Sequence, residues 1–171
     1  MSFTTFSRAV GLITAMLAGY LTAHVIVLAR YFDWIIESGN ASMLEATYSV
    51  FRVEVDPVTP YLASFIVQLI LAMVLFAVVI VRRSRFGAKQ VAATGFAVFA
   101  LPLTMLVFTT TGFHEVEHNV MSASDLSEET LSIWLSLNVP LHMIAAAIYL
   151  VAATMLLFTD LPAAKQQSET A

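Results

Sequence analysis

The histidines of this chain are concentrated where they could bind a metal ion. Three of the four lie in two short segments, His114-Glu115-Val116-Glu117-His118 and the run from Trp134 to His142. The first segment spells H-E-x-x-H, a spacing that places two imidazoles on one face of a helix with a carboxylate beside them. Because the sequence contains no cysteine, the metal ligands must be nitrogen or oxygen atoms. We therefore predict a transition-metal site.

The motif assigns a role to each of its residues. In zinc hydrolases that carry H-E-x-x-H, the two histidines bind the metal and the glutamate takes a proton from the metal-bound water. Here His114 and His118 would be ligands and Glu115 the general base. A third ligand must come from elsewhere in the chain, and the candidates are His142, His24, Glu54 and Asp56. The chain is short and lacks an obvious distal Asp-Gly metal-ligand motif, which argues against an intramembrane metalloprotease.

Other metals suit the same residues. Histidine and carboxylate ligands without thiolates are also typical of copper(II) or mononuclear iron. The pair formed by Glu115 and His118 is of the kind used by carboxylate-bridged di-iron bundles, although no second pair is visible. A b-type haem would need only two facing histidines, such as His24 and His142. Without a metal, the histidines and glutamates would form a solvated, hydrogen-bonded helix end. Copper, iron and zinc therefore all stay open.

The composition indicates the solvent in which this site lies. The chain has 171 residues, of which 59% are hydrophobic and 12% charged, and its mean hydropathy is +0.84. This is far more apolar than a soluble domain, so we predict a single-domain integral membrane protein that contacts the lipid bilayer. The eight basic residues form no array suited to a phosphate backbone, which argues against nucleic acid as a partner. A membrane-protein partner or a homo-oligomer stays open.

The apolar stretches predict an all-α, four-helix membrane bundle. Membrane-spanning helices are expected at about 9–34, 57–81, 90–118 and 128–158. The loop 82–89 holds four of the eight basic residues and is predicted to be cytoplasmic by the positive-inside rule. Both termini would then be cytoplasmic, in a multi-pass protein of the inner (cell) membrane. The polar tail 160–171 is predicted to be disordered.

Counting residues from the outer membrane face predicts where the histidines meet. His142 would lie roughly 15–20 Å along the fourth helix, and His24 at a similar depth on the first. His114 and His118 would lie higher, at the outer end of the third helix. The sequence thus predicts a polar pocket in the outer half of the bundle, where ionisable groups must face the interior and find partners.

The fourth helix adds polar groups at a regular spacing. Trp134, Asn138 and His142 are each four residues apart and so share one helical face. Pro140 cannot donate a hydrogen bond to the carbonyl group of Ser136, and such breaks often admit water or a ligand. Asn138 is therefore predicted to hydrogen-bond a substrate or a bound oxygen species. The alternative is that Asn138 and His142 only link helices, while Trp134 anchors the membrane interface.

The run LSIWLSLNVPLHMIAAAIYLVAA, residues 131–153, resembles the closing segment of the small four-helix membrane family that includes the anthrone oxygenases. The resemblance covers mainly residues 110–155. Members commonly carry arginine at the place of His142 and lack H-E-x-x-H, so the histidines of this chain are a departure. The resemblance implies a four-span protein that oxidises an apolar substrate with oxygen, without an evident tightly bound organic cofactor.

These observations lead to one main hypothesis and two alternatives. The main hypothesis is a metal-dependent membrane oxidoreductase acting on a small or apolar substrate that enters from lipid. Its metal ligands would be His114, His118 and His142, with His24 as a fourth ligand or a supporting group, and Glu115 and Asn138 would be its catalytic residues. The alternatives are a zinc hydrolase with the same ligands and a non-catalytic small subunit or scaffold of a membrane complex.

Overall fold

The structure, a computed structural model, describes residues 2–159 and contains only helices and their connections over that range. Four helices are long and apolar enough to cross a membrane: α1 (Phe3–Glu37), α3 (Val58–Val81), α4 (Ala88–Thr110) and α6 (Glu128–Phe158). This confirms the predicted all-α class and four apolar helices of membrane-spanning length. The tail predicted to be disordered, 160–171, lies outside the described residues.

Two shorter helices join these long ones. α2 comprises a π-helical stretch, Leu44–Ser49, followed by an α-helical turn, Val50–Glu54. The sequence left open whether this connection is helical or extended, and the structure has it helical. α5 (Phe113–Met121) lies between α4 and α6. A single 3₁₀ turn, Arg83–Arg85, occupies the basic loop.

The predicted third helix, 90–118, is divided in the structure. α4 ends at Thr110, Gly112 adopts a left-handed conformation with φ of +72°, and α5 then begins. The hydroxyls of Thr110 and Thr111 donate to the carbonyl groups of Leu106 and Val107, one turn back. A glycine with positive φ directly after such a turn is a common way for a helix to end. Pro102 and Pro140 lie inside α4 and α6, which both continue past them.

α6 lies at the centre of the packing and contacts α1, α4 and α5, while α3 packs against α4 and α1. Small residues allow these close approaches. At Gly11 of α1, a β-carbon would stand 2.9 Å from Cδ2 of Leu157 on α6. Elsewhere large apolar side chains face outward, on α3 for example Leu62, Ile66, Ile70 and Met73. Outward apolar side chains on helices of this length are consistent with contact to a lipid bilayer.

Candidate functional site

The buried face of α6 carries three polar side chains one turn apart. Trp134, Asn138 and His142 are only 2%, 0% and 4% exposed, respectively. Ala145 and Tyr149 continue the same face and are also buried. The four-residue spacing in the sequence thus gives one inward-facing row. Trp134 is buried inside the protein, so it is not the interface anchor of the alternative interpretation.

Asp33 of α1 holds the N-terminal part of this row. Its Oδ1 accepts hydrogen bonds from Nε1 of Trp134 at 3.0 Å and from Nδ2 of Asn138 at 2.8 Å. Nδ2 of Asn138 also donates to the carbonyl oxygen of Ala29 at 3.2 Å. A carboxylate oxygen and a carbonyl oxygen can only accept hydrogen bonds, so the NH₂ group of Asn138 must face Asp33 and Ala29. Oδ1 of Asn138 is left buried without a partner among the described residues, and it could accept a hydrogen bond from a bound molecule.

A π-helical stretch in α1, His24–Ala29, faces this row. Single π-helical turns inside α-helices occur frequently at functional sites. His24 begins the stretch and Ala29 ends it, and both contact polar groups of α6. The stretch therefore lies where α1 meets the polar face of α6.

His142 is fixed by hydrogen bonding and by aromatic contacts. Its Nδ1 lies 2.8 Å from the carbonyl oxygen of Asn138. A carbonyl oxygen can only accept, so Nδ1 carries a hydrogen and Nε2 is the nitrogen available for other chemistry. The ring of His24 stacks on that of His142, with centroids 4.6 Å apart and planes at 26°. Phe108 and Phe113 meet the same imidazole edge-on, at 5.2 and 6.0 Å.

Glu117 of α5 faces the free nitrogen of His142. Its Oε1 lies 3.6 Å from Nε2 of His142, and its side chain is 33% exposed. It also interacts electrostatically with His24, Tyr48 and Tyr61. Glu117 thus faces His142 directly and acts on the other three groups only through its charge.

Tyr48 of α2 packs against α1. Its ring packs edge-on against Phe32, with centroids 4.8 Å apart. Burial raises the pKa of its phenol, Arg52 acts in the opposite direction, and the negative charge of Glu117 raises the pKa further. Tyr48 thus stays protonated near neutral pH.

The amphipathic character of α5 explains why Glu117 faces inward and the H-E-x-x-H residues do not. Phe113 and Val120 are fully buried and Val116 is half-buried, which sets the inner face of the helix. Glu117 lies four residues after Phe113 and shares that face. His114, Glu115 and His118 lie on the exposed side.

The structure therefore brings together only part of the predicted site. His24 and His142 lie at one level, as counting predicted, and Asn138 is beside them. His114 and His118 are exposed, and within residues 2–159 no group of three or more His, Asp or Glu side chains is arranged to hold a metal ion. The predicted third-ligand candidate Asp56 is engaged at the start of α3, where its Oδ1 accepts from the backbone N–H of Thr59 at 3.2 Å. Hydrogen bonding to Thr59 holds the pKa of Asp56 below its usual value.

The sequence did not point to the two carboxylates of this cluster, Asp33 and Glu117. The predicted catalytic carboxylate, Glu115, lies on the exposed side of α5 instead. The apolar spacing Phe113, Val116, Val120 was a usable signal for Glu117, because it fixes which side of α5 faces inward. No local signal singles out Asp33, because its partners are about 100 residues away in sequence.

The class of the molecule follows from its helices rather than from similarity to known proteins. Four helices with the length and apolarity to span a bilayer indicate a membrane protein. Comparison of the chain with protein-family models, with curated proteins and with solved structures gives no match.

Proposed function

We propose that this protein is a metal-dependent membrane oxidoreductase whose metal ion binds between His142 and Glu117. The observation that supports this is the facing pair of Nε2 and Oε1. With Nδ1 already protonated, a neutral His142 directs a lone pair at a carboxylate, and two acceptors cannot face each other stably without a cation between them. That cation is either a proton or a metal ion.

The separation of the two atoms favours a metal ion. A proton shared between imidazole and carboxylate would draw the atoms to about 2.7–2.9 Å. Two ligands that are each about 2.1 Å from one ion lie roughly 3.0–3.4 Å apart at the angles of about 90–110° of octahedral and tetrahedral sites. The spacing in the structure, 3.6 Å, is nearer to that range than to the distance of a shared proton.

His24 would supply the third ligand. Two histidines and one carboxylate with open positions are the ligand set of many mononuclear iron oxygenases. The stacked ring of His24 does not yet direct a nitrogen at the same point as His142 and Glu117, so ligation requires it to rotate. His24 is half-buried, and this leaves the ring room to rotate.

The surrounding residues would position the metal ligands and the substrate. The Asn138 carbonyl orients the imidazole of His142, as hydrogen bonds to metal-binding histidines commonly do. The unpartnered Oδ1 of Asn138 would accept a hydrogen bond from the substrate. Phe108 and Phe113 exclude water from the edges of His142. When bound, a copper or iron ion would supply the oxygen and one-electron chemistry.

The membrane arrangement belongs to the same proposal. We place the helices as a four-helix bundle in the inner membrane, with the basic loop 82–89 and both termini cytoplasmic. The site then lies toward the outer face, and a small or apolar substrate would reach it from lipid past His24. The resemblance of residues 131–153 to the anthrone oxygenase family supports an apolar substrate.

A proton-transfer site is the second candidate, because the described residues contain no preformed group of three ligands. In that case the imidazole of His142 would carry two hydrogens and form an ion pair with Glu117. A zinc hydrolase built on His114 and His118 would require a third ligand on the exposed side of α5.

Elemental analysis of the detergent-purified protein tests the proposal. The protein is expressed in metal-replete medium and washed with EDTA, which removes ions held at exposed sites. We expect about one copper or iron ion per chain in the wild type and a loss of about tenfold or more in Glu117→Gln and His142→Ala. Glu115→Gln is the matched control, since it makes the same change on the exposed side of the same helix.

Each outcome is decisive. Equal metal retention in Glu117→Gln and Glu115→Gln would refute the site. A wild-type protein without metal would leave the proton-transfer function, and retention of zinc instead of copper or iron would favour hydrolysis over oxidation.

A further inference from the structure

The exposed face of α5 carries two histidines that the proposed site does not use. His114 and His118 are both exposed and lie one helical turn apart. Within residues 2–159, neither imidazole makes a hydrogen bond, an ion pair or a ring contact. Both rings are therefore free to bind a ligand from solution.

The spacing of the pair suits chelation of one ion. Side chains four residues apart on a helix have β-carbons about 5–6 Å apart, so two imidazole nitrogens can each reach an ion at about 2.0–2.1 Å. α5 is held in place by Phe113 and Val120, which are fully buried. The helix thus presents the two imidazoles from a fixed backbone. Glu115, exposed on the same side, adds a negative charge that favours a cation.

We infer that His114 and His118 form a surface chelate for a divalent late transition-metal ion, separate from the buried pair of His142 and Glu117. Imidazole ligands bind copper(II) more tightly than the other divalent ions of the first transition row, so Cu²⁺ is the ion expected at this chelate. Nothing among residues 2–159 covers the pair, so the ion would exchange quickly with chelators in solution. Two ligands from the protein leave the remaining coordination positions to water.

The inference goes beyond the proposed function and does not depend on it. An ion at the buried site should survive an EDTA wash, whereas one at the surface chelate should not. The experiments can therefore refute either site without refuting the other.

Titration of the EDTA-washed protein with Cu²⁺, followed by electron paramagnetic resonance near neutral pH, tests the chelate. We expect one rapidly exchanging Cu²⁺ per chain in the wild type. Affinity should fall about 100-fold in His114→Ala and in His118→Ala, because a single imidazole loses the benefit of the second one. The exchangeable Cu²⁺ should be lost in the double variant, which keeps neither imidazole. The variant His24→Ala/His142→Ala keeps His114 and His118 as its only two histidines, so repeating the titration in it assigns the signal to this pair.

The control keeps the number of histidines on α5 and changes their spacing, and His118→Ala/Glu115→Gln, measured beside it, accounts for the loss of the Glu115 carboxylate. In His118→Ala/Glu115→His, two exposed imidazoles are adjacent in sequence and point in different directions. This variant should bind Cu²⁺ as weakly as His118→Ala. The substitutions at His114, Glu115 and His118 lie on an exposed helix face, so these variants should fold. Wild-type affinity in the control, or an unchanged exchangeable Cu²⁺ in His114→Ala/His118→Ala, would overturn the inference.

Discussion

Removing the Asp33 carboxylate should destabilise the protein by an amount that its two hydrogen bonds predict. Trp134 is 2% exposed and its Nε1 donates only to Asp33. In Asp33→Ala this donor is left buried and unpaired, whereas Asn138 keeps its bond to the Ala29 carbonyl. An unsatisfied buried donor costs about 1–3 kcal/mol, and the second interhelical bond about 0.6 kcal/mol, so we expect a total loss of about 2–4 kcal/mol.

Asp33→Asn should cost much less than Asp33→Ala. Its side-chain oxygen can still accept from both donors, so only the charge assistance is lost, about 1 kcal/mol. Glu37→Gln is the matched control, because Glu37 is an exposed acidic residue at the end of the same helix and should change stability by less than about 0.5 kcal/mol. The assay is reversible unfolding in mixed micelles by titration with a denaturing detergent. The fluorescence of Trp134 is followed in a Trp34→Phe background.

A double-mutant cycle identifies the bond itself. Trp134→Phe removes the donor, so the combined variant with Asp33→Ala should be less destabilised than the sum of the single variants by about 1–2 kcal/mol. Because Trp134→Phe also removes the fluorescent probe, unfolding of all four proteins of the cycle is followed by far-ultraviolet circular dichroism. If Asp33→Ala costs no more than Glu37→Gln, or if the cycle shows no coupling, then Asp33 does not hold the N-terminal part of the α6 row.

Two further predictions use the same unfolding assay. Gly11→Ala should cost about 1–3 kcal/mol, because the new β-carbon would meet Leu157 at 2.9 Å, whereas Gly19→Ala meets nothing within 4 Å and should be neutral or stabilise α1 by about 0.5–1 kcal/mol. Equal effects at the two glycines would contradict the close packing of α1 and α6. Gln68→Leu should change stability by less than about 1 kcal/mol, because Oε1 of Gln68 is buried without a partner among the described residues and its Nε2 bonds are long, at 3.1 and 3.4 Å. Gln68→Ala should cost about 2 kcal/mol or more through the cavity it leaves, and a similar cost for both variants would show that the hydrogen bonds dominate.

Features that depend on local spacing were predictable from the sequence. Long uncharged runs bounded by charges gave the four apolar helices, and counting along the first and last of them placed His24 and His142 at one level. The four-residue spacing of Trp134, Asn138 and His142 gave a shared face. Each of these depends only on the rise and the periodicity of a helix.

Features that depend on contacts between helices were not predictable. The bonds of Asp33 to Trp134 and Asn138 join residues 101 and 105 positions apart, so they require the relative depth and rotation of α1 and α6. The π-helical stretch at His24 shifts that rotation and has no clear signature in the sequence. The end of α4, in contrast, could have been predicted. The run Thr109-Thr110-Thr111-Gly112 is a helix stop signal, but the prediction of a longer helix gave more weight to the length of the apolar stretch.

The orientation of α5 shows why a matching motif did not determine the site. Turning the H-E-x-x-H face inward would expose Phe113, Val116 and Val120, at a cost of about 1.5–3 kcal/mol for each fully buried side chain. Only a metal site with a complete ligand set, worth about 10 kcal/mol or more, would outweigh that loss. No third ligand stands ready on that side within residues 2–159, so the apolar residues set the rotation of the helix. The same rotation directs Glu117 at His142, and burial of three apolar side chains thereby positions the carboxylate that the proposed chemistry requires.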